Sequence, residues 1–235
     1  MYSEAVRYSL IEQSSLTNMK VYFISGLGAD RRIFKNILLP VGNEAVFLDW
    51  IVPLANESLA DYSRRLAEKI DTKESYALIG LSMGGMIVSE ICKSHKPSLT
   101  IIISGIPVSS HIPFHLKLAG RLGIHRLIPA RMLKSVTLVK TAFSSESARD
   151  RMVLQEMIRE IDDKFINWAI RAIMAWRNDT LPSSYIHIHG TWDRVLPIRF
   201  TKPTDLIEKA GHLMILNRAS EINRILERSL ISCSG

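Results

Sequence analysis

Residues 76–91 read Tyr-Ala-Leu-Ile-Gly-Leu-Ser-Met-Gly-Gly-Met-Ile-Val-Ser-Glu-Ile, an apolar run that stops at Gly80 and a helical pattern that begins just past Ser82. A strand that runs straight into a helix must turn within about two residues, and the residue at the apex is held in strained backbone geometry with its side chain pushed out of the sheet. Ser82 occupies that apex. Gly80 and Gly84 flank it two positions away on either side, where a side chain would collide with neighbouring backbone, and Gly85 lets the helix pack closely on the sheet.

Upstream of this corner, Val21 to Ile24 form a short β-branched and aromatic run ending at Ser25-Gly26-Leu27-Gly28. Asp30 then caps an expected helix carrying Ile33, Phe34, Ile37 and Leu38. Val46, Phe47 and Leu48 make the next strand, and Ser58 caps a helix with Leu59, Tyr62, Leu66 and Ile70 at helical spacing. After the Ser82 corner comes Leu99-Thr-Ile-Ile-Ile-Ser104, continuously apolar as in a parallel sheet covered on both faces. Strands that alternate with helices make the chain α/β.

The alternation lapses after Ser104-Gly105-Ile106-Pro107, where segments near 114–127, 130–142, 146–161 and 164–176 read as helices. It resumes at Tyr185-Ile-His-Ile-His-Gly190. The next loop carries Asp193, beyond the strand's carboxyl end, where open α/β sheets place their sites. Asp205 is the competing acid and lies in a short strand, 204–207, pointing away from the core. His212 follows in Ala210-Gly211-His212-Leu213, ahead of a terminal helix with Ile222, Ile225, Leu226 and Leu230. His187 and His189 share one strand face, and His111 and His115 are four apart. Neither pair has a third metal-ligand partner, so satisfied core histidines are the expectation for the first.

Gly80-Leu81-Ser82-Met83-Gly84-Gly85 resembles the nucleophile elbow of the α/β-hydrolase family, and Ser82, Asp193 and His212 fall in that family's order of nucleophile, acid and base. The resemblance runs from Met19 to the C-terminus. It implies an α/β-hydrolase fold, with a mostly parallel sheet of about six strands flanked by helices. A helical cap, 108–178, is inserted after the strand ending near Ser104, between core segments 19–107 and 179–235. The Gly-rich loop after the first strand implies one oxyanion donor, the backbone N–H of Leu27, with Gly26 and Gly28 supporting it; the N–H of Met83 is the second. Family members commonly have His-Gly where this chain has Ser25-Gly26. The implied activity is a serine hydrolase acting on a small-molecule carboxylic ester or thioester through an acyl-enzyme, with no cofactor and no metal. Two rivals stand beside it: the same fold doing cofactor-free lyase, perhydrolase or C–C hydrolase chemistry, and a non-catalytic ligand-binding relative.

Residues 1–18 lack Gly and Pro, and the family-like pattern begins at Met19, so this stretch reads as an extension or a dispensable arm, with a short edge strand near 6–11 as the alternative. The 235 residues suit one core domain. Neither an apolar run of transmembrane length nor a secretory signal is evident, and the two cysteines, Cys92 and Cys233, read as reduced thiols; a cytoplasmic location is expected. The net charge of +7 raises nucleic-acid binding, but the sequence has no binding motif and no block of consecutive Lys/Arg. Residues 108–178 hold 12 Lys/Arg against 6 acids, so the excess belongs to the cap. A basic roof suggests an anionic substrate; solvated helix faces are the plainer reading. Oligomeric state has no signature.

Overall fold

The computed structural model describes residues 19–122, 134, 143 and 146–233. Six strands form one parallel sheet: β1 (Lys20–Ile24), β2 (Glu44–Phe47), β3 (Tyr76–Leu81), β4 (Leu99–Ile103), β5 (Tyr185–Gly190) and β6 (Asp205–Ile207). Their order is β2-β1-β3-β4-β5-β6, and every neighbouring pair is parallel. Consecutive parallel strands need crossovers. Those described are α1 (Leu59–Ala67), α2 (Met83–Ile91), α3 (Phe114–Arg121), α4 (Ala148–Glu160) and α5 (Asp163–Ala175), with α6 (Met214–Asn217) and α7 (Ala219–Cys233) after the last strand.

Alternation along the strands divides the core in two. Val21, Phe23, Ile79, Ile101 and Ile103 face α4, α6 and α7, whereas Tyr22, Ile24, Leu78 and Ile102 face α1, α2 and α5. Ser58 caps α1 through its hydroxyl, which accepts from Asp61 N–H, and Ser147 caps α4 the same way through Asp150 N–H.

The helices between β4 and β5 do not build a separate core among the described residues. Leu154, Met157 and Ile158 of α4 join one cluster, and Phe165, Trp168 and Ala172 of α5 join the other. Trp168 stacks on Tyr62 of α1 at 4.3 Å between ring centroids, and its Nε1 donates to the Glu57 carbonyl at 2.9 Å. α5 is therefore core packing as much as roof.

Several expectations are corrected. The helix expected after Asp30 is a single 3-10 turn, Arg31–Phe34: Ile33 and Phe34 are buried in the core, Ile37 packs against it from beyond the turn, and Leu38 is 69% exposed. The following strand starts at Glu44 and ends at Phe47, leaving Leu48 beyond it. Apart from Lys134, the expected helix over 130–142 falls outside the described residues, as does the arm over 1–18. Among those described, no helix is long and apolar enough to cross a membrane. Both cysteines are free thiols.

Candidate active site

β3 ends at Leu81, α2 begins at Met83, and Ser82 between them has φ 52° and ψ −114°. That backbone costs about 1–3 kcal/mol for a residue with a side chain, and tight surroundings hold it in place. A Cβ on Gly84 would lie 2.2 Å from the Ile24 carbonyl oxygen, and one on Gly80 would lie 2.3 Å from the Gly84 carbonyl oxygen. The end of β1 thus packs directly on the first turn of α2. Ser82 N–H donates to the Ile103 carbonyl at 2.9 Å, which ties the corner to β4 as well.

The three residues singled out for catalysis meet here. Nε2 of His212 is 3.0 Å from Oγ of Ser82, and Nδ1 of His212 is 2.7 Å from Oδ2 of Asp193. Asp193 follows β5 through Gly190, whose missing Cβ would sit 2.3 Å from the Ala210 carbonyl oxygen. Trp192 N–H donates to that same carbonyl at 2.9 Å, so the acid loop and the histidine loop are clasped backbone to backbone. The Asp193 Oδ1 atom accepts the Val195 and Leu196 amides, each at 2.8 Å. Asp205 takes no part: it pairs with Arg228 at the sheet edge.

The electrostatics follow from burial and pairing. Burial pushes the Asp193 carboxyl upward, but the charge and hydrogen bond of His212, with His189 and the Leu196 amide, outweigh it and leave the group below its ordinary value. Burial likewise pushes His212 down, but the charge and hydrogen bond of Asp193, helped by Glu146, raise it above the ordinary histidine value. The base is therefore braced to accept a proton.

Leu27 lies in a turn closed by Ala29 N–H donating to the Gly26 carbonyl at 3.0 Å, which does not use the Leu27 amide. A Cβ on Gly26 would be 3.1 Å from Cβ of Ser82, so this loop lies against the nucleophile. Gly28 has φ 85°, and Ile158 of α4 packs where its side chain would be. Met83, as the first residue of α2, carries one of the amides that a helix N-terminus leaves without an intrahelical acceptor. Leu27, Ser82, Met83 and His212 line one cavity of about 210 Å³, walled by apolar side chains that include Met86, Leu154 and Phe143.

This arrangement is matched by a family pattern. Residues 21–225 fit the alpha/beta hydrolase family. The chain belongs to that family. By sequence, no curated protein matches it. Among solved structures, MenH from S. aureus is similar at 18% identity and TM-score 0.74, covering 93% of this chain and 96% of that one. A thermophilic esterase from Thermogutta terrifontis matches at 14% identity and TM-score 0.68, over 93% and 92%. An esterase from Exiguobacterium antarcticum matches at 18% identity and TM-score 0.67, over 92% of each. At these identities the likeness concerns the alpha/beta hydrolase fold.

Sequence reasoning missed three contributors to the site. Gly190 is the close-approach point between the acid and histidine loops, a role an isolated Gly at a strand end does signal. His189, read as a core histidine, is fully buried but stands 3.4 Å from the Asp193 carboxylate. Glu146, read as one charge among many in the insert, is buried and accepts from Leu213 N–H at 2.9 Å. His187 is buried beside His189, and His111 faces the Thr201 hydroxyl at 3.1 Å.

Proposed function

We propose that the protein is a serine hydrolase that cleaves small carboxylic esters or thioesters through an acyl-enzyme on Ser82. The observation that carries this reading is the unbroken chain Ser82 Oγ, His212 Nε2, His212 Nδ1, Asp193 Oδ2, with links of 3.0 and 2.7 Å. His212 takes the Ser82 proton as Oγ bonds to the acyl carbon, then delivers it to the leaving alcohol or thiol as the C–O or C–S bond breaks. A water then attacks the acyl-enzyme by the same route, giving the carboxylic acid and free Ser82. Asp193 keeps the proton of neutral His212 on Nδ1 and stabilises the imidazolium. The Leu27 and Met83 amides are the donors for the oxyanion, each such donor being worth about 2.7–4 kcal/mol of barrier.

The acyl group we favour is short and uncharged. The cavity volume of about 210 Å³ is below the roughly 300–1,000 Å³ of pockets for drug-sized ligands. Its described lining is apolar apart from the catalytic groups and contains no Lys or Arg. A second reading, in which the basic insert draws an anionic ester, lacks a cation in that lining. Lys134 pairs with Asp163, and Arg177 and Lys117 donate to backbone carbonyls.

A panel of aryl esters from acetyl to decanoyl tests the proposal, read as kcat/KM at rising salt. Hydrolysis that peaks at short neutral acyl groups supports it. Absence of turnover on every ester, or turnover unchanged in Ser82→Ala, would refute it in favour of non-hydrolytic chemistry or ligand binding. A salt-sensitive preference for an anionic ester would favour the second reading.

A further inference from the structure

The histidine loop is gripped from the helical insert by one carboxylate. Glu146 is buried, 6% exposed. Its Oε1 accepts from the backbone N–H of Leu213, the residue directly after His212, at 2.9 Å. Its Oε2 accepts from Asn217 Nδ2, at the end of α6, at 3.0 Å. Three residues earlier in the insert, the Phe143 ring tilts against the His212 ring at 5.8 Å and lines the cavity. Both carboxylate oxygens thus act as acceptors, the pattern suited to the charged form. Arg151 donates to the Glu146 backbone carbonyl, and Asp150 shares Asn217 with the Glu146 side chain at 2.9 Å.

We propose that Glu146 is a positioning residue for His212: it fixes the loop through the Leu213 amide and supplies a second negative charge that favours the imidazolium formed when Ser82 gives up its proton. The proposal rests on the hydrolase reading above. The two carboxylates act on His212 from separate elements, Asp193 from the loop after β5 and Glu146 from the insert. The other titratable or polar groups facing His212 among the described residues are Ser82 at 3.0 Å and His189, which stands behind Asp193. In agreement, burial lowers the affinity of His212 for its proton, the charge and hydrogen bond of Asp193 raise it, and the charge of Glu146 raises it further. Charge in so dry a site acts far more strongly than on the surface. The insert that walls the substrate cavity is by this means also part of the support of the base.

The test is Glu146→Gln in the full chain, which keeps the shape and an acceptor for Leu213 but deletes the charge. Two readouts are followed against pH: kcat/KM on a short aryl ester, and the imidazole NMR signals of His212. Because the base works deprotonated, activity rises through its titration, and losing a nearby negative charge makes the imidazolium less favourable. The expected result is an acid limb moved to lower pH, an NMR titration moved the same way, and kcat reduced about 10- to 100-fold through a loosened base. Glu146→Ala repeats the charge deletion should the glutamine variant fail to fold. A limb and an NMR titration that stay at the wild-type position would overturn the proposal, even with a reduced rate, since a merely structural latch would do only that. If the wild type hydrolyses no ester, the NMR titration still decides the role of Glu146, so the two failures are distinct.

Discussion

Nε2 of His189 stands 3.4 Å from Oδ2 of Asp193, the same oxygen that faces His212 at 2.7 Å, so the acid is shared between two buried imidazoles. His189 Nε2 also lies 2.8 Å from the Leu196 carbonyl oxygen, which can only accept, and this places a proton on that nitrogen. His189 Nδ1 in its neutral form is then an acceptor, and His187 Nε2, 3.2 Å away, donates to it. His187 Nδ1 is buried and makes no hydrogen bond of good geometry among the described residues, although the Gly105 backbone bears on the same ring.

That neutral pair predicts acid sensitivity. Burial, with the neighbouring His189 adding, pushes the His187 pKa down to about 3. The unfolded chain takes up this proton near pH 6.5 and the folded chain only near pH 3. Stability is therefore lost as pH falls through that window, at up to about 1.4 kcal/mol per pH unit. His187→Gln, which keeps an N–H for His189, should flatten the dependence of Tm on pH between about 7 and 4. Equal slopes for wild type and variant in thermal melts would contradict this.

The acid assignment predicts opposite fates for two aspartates. Asp193→Asn should lower kcat by about 10⁴-fold with the fold retained, because an amide no longer stabilises the imidazolium or its working tautomer. Asp205→Asn weakens the edge pair with Arg228 and the hydrogen bond from the Thr204 hydroxyl, both remote from Ser82, and should leave kcat within about twofold, as exposed pairs are worth about 1 kcal/mol or less. Steady-state ester hydrolysis with both variants checks this, and an active Asp193→Asn would move the acid elsewhere.

The Ser82 corner was legible in the sequence because its glycines are required by backbone contacts, and such contacts leave no choice of residue. The central strands β1, β3 and β4 were legible because each is a short, nearly continuous apolar run that is buried on both faces. The stretch after Asp30 was not, since Ile33, Phe34, Ile37 and Leu38 have helical spacing whether or not a helix forms. Here Pro40 and the turn at Gly42, φ 91°, lead the chain out to β2, and the spacing is used for one turn only. Glu146 and His189 were hidden for another reason. Their roles arise from residues 67 and 4 positions away, and neither hydrophobic period nor local motif reports a polar contact made through the tertiary fold.

Two glycines beside the nucleophile should separate folding from function. Gly84→Ala sets a methyl 2.2 Å from the Ile24 carbonyl oxygen, a contact neither backbone can relieve, and should destabilise by more than about 4 kcal/mol in urea unfolding. Gly26→Ala meets the Cβ of Ser82 at 3.1 Å, a gap a small loop shift can open. It should fold, with kcat down about 10²-fold as the Leu27 amide is displaced. A stable Gly84→Ala would show that the close packing of β1 on α2 is not required.

The whole mechanism depends on Ser82 as the nucleophile, and covalent labelling reports on that residue without any assumption about substrate. Intact-mass and peptide mass spectrometry after treatment with a fluorophosphonate should find one adduct per chain, on Ser82, in the wild type. Labelling should be absent from Ser82→Ala and strongly slowed in His212→Ala. An unlabelled wild type, or an adduct that persists undiminished in Ser82→Ala, would contradict Ser82 as the nucleophile.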